Sequence, residues 1–179
     1  LDGGLEAVVD AAWQNAAANA PDEHNILPAE PMVSEDDWGQ EDFASIPTSD
    51  KIEFCREMER QTLAADSRMA AVQRAAYGES RGEAALANAY GIQRWFSNAY
   101  CSCSVAASAA QPGVDSEMGW EFDFAPRFAA LRPGWVARRC AERAVQALGG
   151  QPCETRLMPL VLENQVASVF VGALGTALR

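Results

Sequence analysis

The side chains best suited to covalent or metal chemistry in this sequence are a single histidine, His24, and five cysteines. No two of the cysteines form the C-x-x-C pair that is typical of a zinc site, and one histidine cannot supply the H-E-x-x-H helix of a zinc peptidase. A thiol becomes a nucleophile when a cation or a helix N-terminus lowers its pKa, and no motif around Cys101 or Cys103 supplies either. We therefore expect reduced thiols that pack in a core, with a dyad of a cysteine and His24 as the less favoured alternative.

Acidic side chains could act in pairs as a general acid and a general base. The candidates are Glu79, Glu83, Glu117, Glu121 and Asp123. The last three alternate with apolar residues along a predicted strand, so we expect them on its solvent face rather than in a catalytic pair.

Arginines and glycines offer two further candidate sites, both for anions. Arg138, Arg139 and Arg143 would form an anion patch if they converged, but helical spacing puts them towards the exposed side of a helix. Gly172 and Gly175 are too few and wrongly placed for a phosphate loop, so close helix packing is the better interpretation. The sequence thus predicts no catalytic residue and no cofactor.

Charge is distributed unevenly along the chain. The 179 residues include 25 acidic and 14 basic side chains, for a formal net charge of −11, and residues 1–50 carry 12 acidic and no basic side chains. This balance argues against direct binding of nucleic acid, which depends on clustered lysine and arginine. The acidic segment is expected to be a solvated surface, with attraction of a basic partner as the alternative.

The two ends of the sequence indicate where the chain belongs. It has no secretory signal and no run long enough to span a bilayer, which predicts a cytoplasmic protein without a membrane partner. It starts at Leu1 without an initiator Met and stops at Arg179 within an apolar, helix-like segment. We expect a piece of a longer protein.

Four stretches have the spacing of helices. They run from about Asp2 to a point before Pro21, from Asp50 to about Ala65, from Pro133 to Leu148 and from Gln165 to Leu178. Asp50 and Glu53 fit a capping box at the start of the second helix. Between the first two helices lies a proline-rich acidic connection, which Trp38 and Phe43 are expected to pin to the body.

Residues 69–125 show the alternation of antiparallel strands. Met69–Tyr77 and Glu83–Ala89 predict two strands joined by a turn around Gly78 to Gly82. Gln93–Ala109 alternates clearly, with Cys101 and Cys103 on the core face. In the next strand the apolar side chains share the face that we expect to be buried. They are Met118, Trp120, Phe122 and Phe124.

These elements predict an α+β fold in which an antiparallel β-meander is bracketed by helices and followed by the start of a second β-rich domain. Residues 1–24 would end an N-terminal α/β region, and residues 25–49 form the acidic connection. Residues 50–151 would form a central helix–sheet–helix domain, and residues 152–179 begin a C-terminal domain with a strand at Leu157–Leu162.

Several short motifs then occur in an order that is typical of one family. Ala76-Tyr77-Gly78-Glu79-Ser80 followed by Ala87-Asn88-Ala89-Tyr90-Gly91 resembles the S-Y-S-D-S … A-N-S-x-G strand pair of the TldD/PmbA family, once labelled modulators of DNA gyrase. The later motifs are similar to its small-residue strand, its G-x-W strand and its A-A-x-R-A-x-x-x-L-G helix. They are Ser102–Val105, Gly119–Phe122 and Arg138–Gly149. The similarity covers about residues 50–179.

The resemblance implies one of two kinds of subunit. TldD-type chains carry an H-E-x-x-x-H helix that binds a metal and cleaves peptides, whereas PmbA-type (TldE) chains share the fold without those ligands and pair with the TldD-type chain. Counting from a V-V-L strand that resembles Leu160-Val161-Leu162, the metal motif would fall near Gly172, Ala173 and Ala177. None of these three can bind a metal or act as a base. The resemblance therefore implies a PmbA-type chain without a metal site.

Two functions follow as hypotheses. The first is the non-metal subunit of a cytoplasmic TldD/TldE-type metallopeptidase that acts in proteolysis and maturation, with a TldD-type subunit as partner and peptide or unfolded protein as substrate. The alternative is a homodimeric scaffold or peptide-binding module without a peptidase role, in which a long strand such as Gln93–Ala109 pairs edges across a two-fold axis or accepts an extended peptide. An independent hydrolase would need catalytic groups beyond residue 179.

Overall fold

The computed structural model describes residues 4–27, 29 and 41–178, and the chain divides into two units, Leu1–Leu148 and Gly149–Arg179. The first unit contains α1 (Gly4–Ala18), α2 (Thr48–Ala64), β1 (Met69–Ala87), β2 (Gln93–Ala109), β3 (Glu117–Ala125) and α3 (Pro133–Ala147). The second contains α4 (Asn164–Ala177). Helices and an antiparallel sheet confirm the predicted α+β fold. The finer domain division of the chain stays a prediction.

β2 is the central strand of a three-stranded antiparallel sheet with the order β1-β2-β3. β1 pairs with β2 over its whole length, and β3 pairs with Cys101–Ala109. Among the described strands, Gln93–Tyr100 of β2 therefore pairs with β1 alone. Pairing of all of Gln93–Ala109 with a second chain or a peptide is wrong, because both edges of its second half are already occupied.

β1 is one continuous strand of 19 residues, so the expected turn between two shorter strands is wrong. Every residue from Arg74 to Ala87 pairs with β2, and neither Gly78 nor Gly82 has a positive φ. The chain reverses instead after Ala87, through an Asx turn. There the Asn88 side-chain oxygen accepts the backbone N–H groups of Tyr90 at 3.0 Å and Ile92 at 3.1 Å.

The helices α2 and α3 pack against one face of the sheet, and the core lies between them. The buried side chains of this core come from β2 and from the inward stripes of the helices. They include Met58, Cys101, Cys103, Val105, Val136 and Cys140. The prediction that Cys101 and Cys103 lie on the core face of a strand is confirmed.

The faces of β3 are the reverse of the prediction. Glu121 and Asp123 are buried against the helices, whereas Trp120, Phe122 and Phe124 lie on the opposite, exposed side. Gly119 belongs to the buried set, and a Cβ there would lie only 2.1 Å from the carbonyl oxygen of Cys140. The missing side chain at Gly119 lets α3 approach the strand directly. Arg143 and Arg132 neutralise the carboxylates of Glu121 and Asp123, which makes their burial possible.

Other elements differ from the prediction in smaller ways. α2 begins after Pro47, whose carbonyl accepts the N–H of Asp50, so the capping box is wrong. Phe43 is buried as expected, while Trp38 lies outside the described residues. In the second unit, the strand predicted at Leu157–Leu162 is wrong: the segment has no regular secondary structure, and the described residues of that unit contain no other strand with which it could pair. None of the helices in the described ranges combines the length and apolar character needed to cross a membrane.

Candidate functional site

The positions at which the resemblance places a metal motif lie on α4. Gly172, Ala173 and Ala177 are exposed, and Asn164–Ala177 contains no His, Cys, Asp or Glu. Across residues 4–27, 29 and 41–178, no three such side chains come together in a way that could hold an ion. The residues present therefore do not fit a catalytic metal, and no reaction step can be assigned to one in this part of the protein.

The thiols of the core are poor nucleophiles. Cys101, Cys103 and Cys140 are all buried. Desolvation raises the pKa of Cys101 and of Cys140 to about 11, and it raises the pKa of Cys103 to about 12. Near neutral pH these side chains are protonated, so they act as small apolar groups.

The acidic residues of β3 are held by arginines rather than by solvent. Arg143 Nε lies 3.2 Å from an oxygen of Glu121. The backbone nitrogen of Arg132 and two of its guanidinium nitrogens donate to the carboxylate of Asp123 at 2.8–3.0 Å. The hydrogen bond from Arg132 lowers the pKa of Asp123, so this carboxylate stays ionised. These pairs fasten α3 and the segment before it to the sheet. Arg143 is thus a structural partner and not part of a solvent-facing anion patch.

A second polar cluster joins α2 to β1 and was missed at the sequence level. Lys51 Nζ lies 2.8 Å from Glu79, and it also donates to the carbonyl oxygen of Phe43 at 2.8 Å. The hydroxyl of Tyr77 donates to the same carboxylate at 2.9 Å. The Lys51 hydrogen bond lowers the pKa of Glu79, and burial raises the pKa of Tyr77. Lys51 is the only lysine in the chain. This was the one feature of the sequence that could have pointed to the cluster.

This cluster closes one end of a groove of about 410 Å³ between α2 and the outer edge of β1. Arg56 and Arg74 line the groove with Glu59, Cys55 and neighbouring apolar side chains. Burial raises the pKa of the Cys55 thiol, so the groove offers no activated thiol nucleophile. Glu79 and Glu83 do not form a carboxylate pair, because Lys51 binds the first and Arg81 lies 3.4 Å from the second.

The face of the sheet that α2 and α3 leave uncovered, here called the outer face, is lined by aromatic and small side chains. Trp120, Phe122 and Phe124 form a stacked row along β3, with ring centroids 5.1 Å and 6.4 Å apart. Phe96 and Tyr100 continue the exposed aromatic surface on β2. This surface was also missed, since the apolar alternation of β3 predicts that its aromatic side is buried.

The described residues thus form a structural domain in which two helices cover one face of an antiparallel sheet. The buried charges of this domain are paired with one another, and its described side chains form no catalytic group. Residues 41–148 match the family model described as the PmbA/TldA metallopeptidase central domain. The chain belongs to the PmbA/TldD family, which confirms the resemblance seen in the motifs.

Individual relatives agree with this assignment. The chain is 27% identical over 181 residues to a Metalloprotease PmbA homolog of Haemophilus influenzae, covering 97% of this chain but 39% of that protein. It is 24% identical over 132 residues to Metalloprotease PmbA of Escherichia coli O157:H7, covering 73% of this chain and 29% of that protein. The chain therefore spans about two fifths or less of these relatives.

Two solved structures share the fold. A Bacteroides thetaiotaomicron protein described as a modulator of DNA gyrase superposes with a TM-score of 0.69 at 19% identity, covering 86% of this chain and 36% of that protein. A Thermotoga maritima protein with a similar description gives a TM-score of 0.65 at 16% identity, covering 83% and 33% respectively.

Proposed function

We propose that this chain is the central part of a PmbA-type (TldE) subunit, which carries no metal of its own and works beside a metal-binding TldD-type subunit. The pair would act in the cytoplasm on peptides or unfolded proteins, in proteolysis and maturation. The other subunit would supply the catalytic metal, and this chain would supply binding and assembly surface.

The observation that carries this proposal is the combination of family membership with the chemistry of α4. Residues 41–148 match the central domain of a metallopeptidase family. The positions assigned to that family's metal motif hold Gly172, Ala173 and Ala177, which offer no ligand and no base. A chain of this kind can share the fold of a peptidase while leaving the reaction to its partner.

The core chemistry supports the same division of labour. The thiols of Cys101, Cys103 and Cys140 are buried with raised pKa values, and the carboxylates of Glu121 and Asp123 are neutralised by arginines. General acid–base or nucleophilic catalysis needs a group whose pKa and exposure suit the step. These residues instead hold the domain in one shape, as a structural subunit requires.

The test is a reconstitution with a TldD-type chain. Affinity capture of a tagged TldD-type chain should retain this chain, and the mixture should cleave an unstructured peptide in a reaction that a chelator stops. A matched control replaces the glutamate of the TldD-type metal motif, which should abolish cleavage and leave the complex intact. Metal-dependent cleavage by this chain alone, or failure of the two chains to associate, would contradict the proposal.

A further inference from the structure

We propose that the groove between α2 and the outer edge of β1 binds a short extended segment of a partner protein, one that carries a carboxylate next to an apolar side chain. This goes beyond the proposed function and does not depend on it, because every residue that lines the groove belongs to this chain. Three features of the groove support it: the apolar floor, the length, and the charges of the two walls.

The floor of the groove is a part of the core that no described element covers. Val72, Ala75 and Tyr77 of β1 pack against the core and are only half-buried. Ile52 of α2 lines the same groove and is 47% exposed. In the described sheet β1 has a neighbour on one side only, so the place that a further strand would take is open. Covering this floor would remove apolar surface from water, which favours a ligand with an apolar side chain.

The groove has the length of a short extended segment. Its α2 wall runs from Lys51 to Glu59, a distance of about 12 Å along a helix. An extended chain covers that distance in about four residues. The register between β1 and β2 is irregular from Met69 to Arg74, which interrupts the edge on which a longer strand would have to pair. The groove therefore suits a few residues and not a complete additional strand.

The walls of the groove carry arginines on both sides. Arg56 lies on the α2 wall and Arg74 on the β1 wall. The ion pair of Arg56 with a glutamate of its own helix is loose, at 3.7 Å, and both side chains are more than 70% exposed, so it contributes little. Arg74 is exposed and forms no ion pair with a described carboxylate. Glu79 already binds Lys51, which leaves Glu59 as the one lining acid beside two arginines.

This distribution of charge selects an acidic ligand. The lining of the groove is net positive, although the chain as a whole has a net charge of −11. A carboxylate placed between Arg56 and Arg74 would accept charge-assisted hydrogen bonds from both guanidinium groups. A segment without a carboxylate would cover the same floor and leave the arginines without a partner. Glutamate and glutamine have nearly the same shape, so a comparison of the two isolates the effect of the charge.

The first test compares two peptides by isothermal titration calorimetry with the purified chain. The probe is Ser-Ile-Glu-Val-Ser, acetylated and amidated so that the glutamate is its only charge, and the control peptide has glutamine in that place. The glutamate peptide should bind, and the glutamine peptide should bind about tenfold more weakly, because it loses the charge-assisted hydrogen bonds. Equal affinities, or no binding of the glutamate peptide, would overturn the proposal.

The second test assigns the carboxylate to the walls of the groove. Arg74→Gln should weaken binding of the glutamate peptide about tenfold and leave the affinity for the glutamine peptide unchanged, a pattern that a general loss of structure would not produce. Arg94→Gln is the matched control, because Arg94 is an exposed arginine of β2 outside the groove, and it should change neither affinity. Equal effects of the two substitutions would contradict the assignment.

A charged substitution tests the floor in the same assay. Ile52→Glu should weaken binding of the glutamate peptide about tenfold or more, because it replaces apolar surface with a like charge. Leu63→Glu is its control, since Leu63 lies on the same helix outside the groove and is 39% exposed. That variant should bind as the parent chain does. Circular dichroism establishes that each variant is folded, and loss of binding in both folded variants would count against the groove.

A third measurement locates the peptide directly. A probe with p-benzoylphenylalanine in place of its isoleucine should, on irradiation, attach to residues 52–59 of α2 or 72–77 of β1, as mass spectrometry of a digest would show. An excess of the unmodified glutamate peptide should suppress this attachment. Attachment to the outer face instead, at Trp120 or Phe122, would overturn the proposal and assign peptide binding to the aromatic surface.

Discussion

Gly119 is the point at which α3 comes closest to the sheet, and Gly119→Ala tests how far the fold depends on that approach. The added Cβ would lie 2.1 Å from the carbonyl oxygen of Cys140 and 2.7 Å from the backbone nitrogen of Ala144. Ordinary contact begins at 3.4 Å, so α3 would have to withdraw by about 1.3 Å, the difference between 3.4 and 2.1. A gap of about 1 Å already forfeits about half of the dispersion energy of each contact. We expect the free energy of unfolding to fall by about 3 kcal/mol.

The assay is urea unfolding of the chain, followed by circular dichroism. Gly78→Ala is the matched control, because it lies in the same sheet with an ordinary φ, and its Cβ would meet only the movable hydroxyl of Ser102, at 3.2 Å. That variant should stay within about 0.5 kcal/mol of the parent chain. If Gly119→Ala costs less than about 1 kcal/mol with an unchanged urea dependence, the close approach of α3 does not constrain the fold as argued.

Three further outcomes are expected. Arg132→Met should lower stability at pH 7 by about 2 kcal/mol. In the parent chain the pKa of Asp123 is lower in the folded state than in the unfolded state. The stability difference between parent and variant should therefore persist above about pH 4, the pKa of the unfolded carboxyl, and disappear as the pH falls through the pKa of folded Asp123. Thermal melts at a series of pH values would show this. A thiol reagent should rapidly label one cysteine in the folded chain, and Cys153→Ser should abolish that reaction; rapid labelling of several thiols would contradict their burial. Gly91→Ala should cost about 1 kcal/mol in urea unfolding, since Gly91 has a φ of +83°, and no loss would mean that the turn tolerates a side chain.

Alternation of side chains along a strand predicts that the strand has two different faces. For β2 it also predicted the correct buried face, because no charged side chain on that strand lies on the core side. The strand predicted over Gln93–Ala109 has those bounds in the structure. Its small and polar side chains alternate without interruption, and β1 and β3 pair with it on either side, as a meander requires. The helix stripe through Val136, Cys140 and Ala144 was likewise predictable, because all three residues are apolar at helical spacing and are buried.

Alternation cannot decide which of two faces is buried. In β3 the apolar rule favoured the aromatic side, yet the structure buries Glu121 and Asp123. The deciding partners, Arg143 and Arg132, lie 22 and 9 positions away in the sequence. The only local signal for the correct face was Gly119, which lies on the acidic side and admits the backbone of α3. A glycine in a strand can mark close approach as well as a turn. Gly78 in β1 marks neither, because the strand continues through it and a Cβ there would meet only the Ser102 hydroxyl.

The Asx turn after β1 also has a consequence for how the chain folds. The first pair that closes above it, Ala87 with Gln93, is separated by only six positions, whereas the last, Met69 with Ala109, is separated by 40. Pairing at the turn therefore costs the least loop entropy, and each new pair shortens the loop that the next must close. A slip of one position at the turn would carry through the hairpin and move Phe96 and Tyr100 to the opposite side of the sheet. The few residues from Asn88 to Ile92 thus help to set which side chains of β2 the folded protein presents on its outer face.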